Sequence, residues 1–593
     1  MKWVERLWTS WPVYRRFWSH LAPHRLQFAA VLAAAVGVAA CQVLQPWPTQ
    51  WLFDHVLAPD GPRPDDWARG VALAAGLYLA IVLAHAALQL AGDLATARIG
   101  HYVARSLRLR VFEHLSRLSP RFHARNKSGD LLVRLIGDVS MVRAMLVDAL
   151  VELVTRGLWV LGTVGVMVWV DPLLSLALFA LLPVIAWVVR RMAGSIRGAV
   201  RKQRKKEGAM ADYLHEAIAA TDVIQSMGRS GEVVHRFARG NRSSERAGMQ
   251  AARLAAKLAA SVHSLLGVGV ALTLGLGGWR VAQGQLSPGE LLVFLSYVRG
   301  LLKPVRSASR NSEKIAKGAA SGERLLEVLD APIDIQSRPG AVPAPSRPER
   351  LAFEDVSFRY EDERRVLRGL TAEIRRGELT GVFGASGAGK STLAALAVRL
   401  YDPDHGRVTL DGHDLRDLEL ESLRERFGVC LQRSVLFGDT LRENLLLGRP
   451  DADEAALWRA LEDAGAAEFV RALPNGLDTL LGSSGVGLSG GQARRVALAR
   501  SLLRDSPVLI ADEPFTGLDA AAARRVQDTL RARAREALVI VIAHERDFLD
   551  AYDRVILLQG GRVTAVGRHA ELLEGSATYR EALRVAPSLE GSP

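Results

Sequence analysis

Between residues 25 and 305 the chain carries six apolar runs, each long enough to cross the roughly 30 Å hydrocarbon core of a bilayer. They centre on 28–56, 67–92, 151–170, 173–189, 258–279 and 289–305. This half of the chain is therefore predicted to be a six-span helical membrane domain. Three connections are short: 57–66, the Asp171-Pro172 corner and 280–288. The other two, 93–150 and 190–257, are long, polar, basic and patterned like helices. Basic connections stay on the cytoplasmic face, which puts both of them, and both termini, on that side. At about 1.5 Å per residue, helices flanking these loops extend tens of ångströms beyond the bilayer, enough to reach a soluble domain.

With 593 residues the chain is too long for one core. A mean hydropathy of +0.10 and 49% apolar residues alongside 23% charged ones fit a membrane half joined to a soluble half. The net charge of +13 could indicate a nucleic-acid partner. The basic residues instead gather where they would flank membrane spans, at 98–127 and 190–206, and no nucleic-acid partner is expected. Residues 1–22 mix Trp3, Trp8, Trp11, Phe17 and Trp18 with Arg6, Arg15 and Arg16, the composition of an elbow helix lying at the headgroup level. That charged, aromatic start does not read as a cleavable signal peptide. Cys41 and Cys430 fall in different halves, so no structural disulfide is expected. After a membrane domain over 23–330, residues 331–350 contain five prolines, including Pro332 and Pro348, and read as a linker. The soluble domain runs from 351 to 593.

That domain contains Gly384-Ala385-Ser386-Gly387-Ala388-Gly389-Lys390-Ser391-Thr392, a phosphate loop. Backbone N–H groups of such a turn point at phosphate oxygens, Lys390 reaches the β- and γ-phosphates, and the Ser391 hydroxyl faces Mg²⁺. Alone it identifies a nucleotide binder. About a hundred residues on, Leu488-Ser489-Gly490-Gly491-Gln492 opens a helix, and Ser489 with the glycine N–H groups makes an anion site at its N-terminus. An apolar strand then ends in Asp512-Glu513. Asp512 suits the water shell of Mg²⁺. Glu513 is placed to orient and deprotonate an attacking water.

The three motifs in this order resemble the ATPase domain of ABC transporters. The resemblance implies further roles. Tyr360 would stack on adenine, Gln432 would link Mg²⁺ and the water to the membrane domain, Asp519 would lie in the loop crossing the dimer interface, and His544 would contact the γ-phosphate. The LSGGQ of a partner subunit would face the γ-phosphate bound here, so two ATPs are sandwiched in a dimer. The membrane half resembles that of ABC exporters. Leu118–His123, Ser128–Leu131 and Asp138-Val139 match the first coupling region, His215-Glu216 with 223–229 the second, and Gly284–Tyr297 with Pro304 the start of the last helix. The resemblance covers about residues 10–585, and fusion of the two domains favours an exporter. One departure is Ser483, where the family usually has Glu before LSGGQ; it bears on cross-subunit coupling.

The expectation is an α-helical six-span membrane domain plus an α/β P-loop ABC ATPase domain. In function it would be a bacterial inner-membrane half-exporter, using ATP and Mg²⁺ to export or flip an amphipathic substrate. A homodimer is favoured, since every catalytic element is present in this chain, with the competent half of a heterodimer as an alternative. An ATP-gated channel or regulator and a soluble ABC ATPase acting on nucleic acid are the rival classes. Substrate identity is not readable. Arg299, about 16 Å along the sixth helix from Pro288, would face a polar interior as a substrate contact, because an intramembrane arginine facing lipid is costly. Alternatively it pairs with Glu152 or Glu290, or sits in a solvated stalk. Arg156, His85, Gln89, Gln42 and His263 are the other polar groups in spans that could line the same cavity.

Overall fold

The computed structural model describes residues 15–17, 22–57, 64–360, 365–432, 434–482, 487–544, 546 and 548–585, without the side chains of 22, 64–66, 302–310, 312 and 585. The elbow helix predicted over 1–22 therefore lies almost wholly outside the described residues, as does Ser483. Of that elbow, Arg16 is seen ion-paired with Asp330. The chain divides into two compact units, one of residues 1–115 and 129–330, the other of 116–128 and 331–593.

In the first unit, five helical segments among the described residues are long and apolar enough to cross a membrane: Arg25–Val56, Trp67–Arg117, Ser128–Val170, Pro172–Ala219 and Ser230–Ala282. The sixth predicted run is helical as well, but its helix Pro288–Gly300 has only 13 residues before a break at Leu301 and the polar helix Leu302–Leu329. Glu290, Arg299 and Lys303 interrupt its apolar length. Only 6–22% of the most apolar window of each spanning segment is buried. Leu83, Leu161, Trp169 and Trp187 are mostly exposed, an apolar surface that suits a hydrocarbon medium. Pro64–Arg117 has 54 residues and Ser230–Ala282 has 53. At 1.5 Å per residue each measures about 80 Å, some 50 Å more than the hydrocarbon core requires.

The short connections are chemically closed. Buried Asp171 caps the helix Pro172–Phe179 by accepting from the N–H groups of Leu173 and Leu174 at 2.9 and 3.0 Å. Ser287 and Glu290 form a reciprocal capping box before the last span, satisfying donors that a helix start leaves orphaned. Asp54, near the end of the first span, accepts from the Ser287 hydroxyl at 2.6 Å and the Gly289 N–H at 2.8 Å. The long connections turn at two short helices, Pro120–Arg125 and Thr221–Ser226.

The second unit is α/β. Strands β1 (Arg350–Phe358), β2 (Leu367–Arg375), β4 (His405–Leu410) and β5 (His413–Asp414) form an antiparallel sheet in the order β2-β1-β4-β5. A second sheet has the order β10-β9-β3-β8-β7-β6. It contains β3 (Leu379–Phe383), β6 (Phe427–Cys430), β7 (Val508–Asp512), β8 (Leu538–Ala543), β9 (Arg554–Gln559) and β10 (Arg562–Gly567), all parallel except β10. β7 and β8 are buried along their whole length, as expected of parallel strands covered on both faces. The period of two splits β8 between two cores. Leu538, Ile540 and Ile542 pack with residues of β1 and β2, while Val539 and Val541 pack with the helices Glu454–Asp463 and Gly490–Leu503.

This unit also includes residues 116–128 of the first coupling region: Ser119 donates through its hydroxyl to Asp334 at 2.9 Å, and Arg121 donates to the Arg359 carbonyl at 3.2 Å. The proline-rich stretch read as a linker is not a free spacer. Val342 donates its N–H to the Asp417 carbonyl and accepts from the Glu419 N–H, the N–H of buried Ala344 donates to the Ser422 hydroxyl oxygen at 3.0 Å, and all of these contacts lie within the second unit. Both cysteines are free thiols.

Candidate active site

The phosphate loop follows β3, which delivers it at the carboxyl edge of the parallel sheet, where ligands of open α/β sheets bind. Gly384 (φ 154°) and Gly389 (φ 106°) have backbone angles that favour glycine. A Cβ on Gly384 would lie 2.2 Å from the Leu558 carbonyl oxygen, so no other residue fits. The helix Lys390–Ala397 opens directly after the loop, aiming its N-terminal N–H groups at the turn. Lys390 is buried, and its ammonium donates to the carbonyls of Gly384 and Ala385 at 2.6 and 3.1 Å. Burial lowers its pKa, against the opposing pull of Glu513 and Asp512.

Asp512 ends β7 only 1% exposed, and neither carboxylate oxygen meets hydrogen-bond geometry. Burial raises its pKa; the neighbouring Ser391 hydroxyl works against that shift, the Glu513 charge adds to it, and Lys390 and Arg494 oppose it. An orphaned buried carboxylate beside a hydroxyl is a donor set that fits a cation. No cluster of three His, Cys or acidic groups occurs among the described residues. An aspartate with a neighbouring serine hydroxyl is the kind of oxygen donor set that Mg²⁺ takes, since it keeps water and phosphate as its other ligands.

Glu513 adopts φ 54°, in the left-handed region, with its N–H bonded to the Ile542 carbonyl at 2.8 Å. His544, just past β8, brings Nδ1 within 3.1 Å of Glu513 Oε1, too oblique for a hydrogen bond. Arg494, on the helix Gly490–Leu503, was not anticipated from the sequence. It donates to the Glu513 carbonyl at 3.2 Å and to the Gln432 carbonyl at 3.1 Å, and approaches Glu513 Oε2 at 3.8 Å. It thus joins the Gln432 loop, the LSGGQ helix and the carboxylate pair. Its place two residues after Gln492, with a second arginine following, was the available signal.

Ser489 and Gln492 cap the LSGGQ helix reciprocally, at 3.3 and 2.9 Å. Gly490 begins that helix, and a Cβ on Gly491 would fall 2.9 Å from the Gly517 carbonyl. Asp519 caps the helix Ala520–Ala534 through the Ala522 N–H at 2.7 Å. That backbone bond holds its carboxyl below the usual range. Tyr360 is partly exposed, stands edge-on to Phe358 and Tyr401, and shares a 2.9 Å hydrogen bond with the Thr392 hydroxyl. Its ring is therefore tied to the phosphate-loop helix by its hydroxyl.

Residues 28–305 match the ABC transporter transmembrane region and residues 367–516 match the ABC transporter family. Over 580 residues the chain is 32% identical to an ATP-dependent lipid A-core flippase of Chromohalobacter salexigens, covering 96% of this chain and 97% of the relative. The chain belongs to the ABC transporters. A multidrug efflux ATP-binding/permease protein of Mycobacterium tuberculosis is 33% identical over 97% of this chain and 47% of its own length. A solved bacterial Atm1-family ABC exporter with ATP bound matches with a TM-score of 0.81 at 26% identity, over 95% of this chain and 99% of that one. This ABC transporter is an exporter-type half-transporter, a helical transmembrane domain fused to an α/β ATPase domain. It is an integral membrane protein that binds ATP and couples its hydrolysis to transport, and the half-transporter architecture implies a dimer.

In the transmembrane domain, Gln42, His85 and Arg156 come together around a cavity of about 440 Å³, with Gln45, Thr49, Tyr78, Trp159, Ser296 and Tyr297. Gln42 and His85 are in contact at 3.1 Å, and Gln45 donates to the Tyr78 hydroxyl at 2.9 Å. Arg299, Gln89 and His263 do not line it. Gln89 donates to Asp93, one turn further along its helix. Arg299 is exposed and forms no ion pair among the described residues. Neither predicted acidic partner is available to it: Glu152 is held by Lys314 at 3.2 Å and Glu290 by the Ser287 N–H at 2.7 Å. The physical reason is helical phase. Ser296, Tyr297 and Gly300 share the cavity face, and at about 100° per residue Arg299 points well away from its centre.

Proposed function

We propose that the chain is a homodimeric exporter of an amphipathic, lipid-like substrate in a bacterial inner membrane, with the ATPase domain and both termini on the cytoplasmic side. Two ATPs would lie between the two ATPase domains. The relatives' names, lipid A-core flippase and multidrug efflux protein, support an amphipathic substrate. The basic long connections support the topology. A complete set of catalytic elements in one chain supports a homodimer.

The observation that carries the catalytic reading is the pairing of orphaned, buried Asp512 with strained Glu513, faced by Lys390 and His544. Asp512 and Ser391 would hold Mg²⁺, which neutralises charge on the phosphates when bound. Lys390 exchanges its two loop carbonyls for phosphate oxygens. Glu513 accepts a proton from the attacking water, and His544 steadies the γ-phosphate from the other strand. Gln432 connects this centre to the membrane domain, and Tyr360 holds adenine. Ser489, Gly490 and Gly491 meet the partner's nucleotide, and Asp519 borders the dimer interface.

The test is Glu513→Gln in purified protein. Since general-base catalysis contributes about 10²–10⁴-fold, steady-state hydrolysis should fall at least a hundredfold while ATP affinity stays within a few-fold. Near-normal turnover would sink the assignment.

A further inference from the structure

The cavity of the transmembrane domain carries a charge that it does not neutralise. Arg156 sits six residues into the spanning helix Leu150–Val170, half-buried, and forms no ion pair among the described residues. No acidic side chain lines the cavity with it. The nearest carboxylate in sequence, Glu152, is engaged by Lys314. A guanidinium in a span is tolerated when it faces a polar interior, and such a residue marks a functional site by default.

The rest of the lining has matching chemistry. Gln42, Gln45, His85, Tyr78 and Ser296 each carry a hydrogen-bond donor. With Arg156 they come from four different helical segments, and they are partly pre-ordered by the Gln42–His85 and Gln45–Tyr78 contacts. Trp159 adds an apolar wall. At about 440 Å³ the cavity is at the small end of ligand pockets, large enough for a headgroup and too small for a whole lipid.

We propose that this cavity takes the anionic headgroup, phosphate or carboxylate, of the exported amphiphile, with Arg156 as its bidentate partner. Planar guanidinium matches both oxyanions with two parallel bonds, which a lysine could not reproduce. The inference rests on the reading above that the substrate is amphipathic.

The test uses the full-length protein in phosphatidylcholine nanodiscs and a series of equal chain length: dodecyl phosphate, dodecyl maltoside and dodecyltrimethylammonium. Equilibrium binding and ATPase stimulation are both read. Wild type should bind dodecyl phosphate at least about tenfold more tightly than the neutral and cationic members, the scale of a lost charge-assisted bond. Arg156→Ala should remove that preference, and Arg156→Lys should keep part of it. Equal affinity for all three in wild type, an arm that needs no variant to fold, would overturn the proposal, as would an unchanged preference in Arg156→Ala. Displacement by butyl phosphate at equal concentration would overturn the lipid origin of the anion. If no member binds or stimulates, the amphipathic-substrate reading itself fails, an outcome distinct from loss of charge preference alone.

Discussion

Glu513 is held where few non-glycine residues sit, and the contacts that hold it are visible. A left-handed backbone costs about 1–3 kcal/mol and persists only where the surroundings over-determine it. Here the Glu513 N–H is bonded to Ile542, while its carbonyl and one carboxylate oxygen both face Arg494. Arg494 touches none of the groups proposed to meet phosphate, so its effect runs through Glu513 and Gln432. Arg494→Ala should lower kcat by about tenfold to a hundredfold, the scale of losing bonds to a charged donor, with the KM for ATP within a few-fold. Arg494→Lys keeps the charge without the fork and should fall between. A loss confined to KM would show that Arg494 serves nucleotide binding and does not position the carboxylate.

Elements defined by length or by continuous apolar character were legible in the sequence. β7 and β8 were readable as apolar strands because both of their faces are covered, and the long spans because a bilayer demands their length. The phosphate loop was readable because its glycines answer to backbone angles and close approaches that only glycine meets. The rotation of each span about its axis was not. A helix apolar on all sides carries no stripe to fix its phase, so the sequence puts Arg299 ahead of Arg156 as a substrate contact, although of the two only Arg156 lines the cavity. The contacts of the proline-rich stretch were not legible, because they are bonds from its backbone to residues some eighty positions away. The start of the last span shows how such long-range contacts act. Gly289 sits against Asp54 and the Gln50 carbonyl, and a Cβ there would come within 2.6 Å of both. Gly289→Ala should force the end of the first span off the last span, costing about 1–3 kcal/mol as overpacking does. Thermal unfolding in detergent should shift down by several degrees, and an unchanged midpoint would show that the junction is loose.

At the scale of the whole molecule, the chain holds one phosphate loop and one LSGGQ, and the dimer reading places each opposite its counterpart on the partner. That arrangement has a consequence that no arrangement with both motifs from one chain shares. Lys390→Ala removes the phosphate counter-charge on one side, and Ser489→Arg fills the anion site on the other. Each variant alone, as a homodimer, has two broken sites. A mixed dimer has one site broken twice and one wholly intact. Co-expressed with different tags and purified through both, the mixed dimer should have about twice the 64.4 kDa chain mass. It should hydrolyse ATP well above either parent, at up to roughly half the wild-type rate if the sites turn over independently. If each site were built within one chain, both subunits of the mixed dimer would be inactive and no recovery would appear. A purified wild-type chain that stays at monomer mass with ATP bound would instead point to a different, unlike partner.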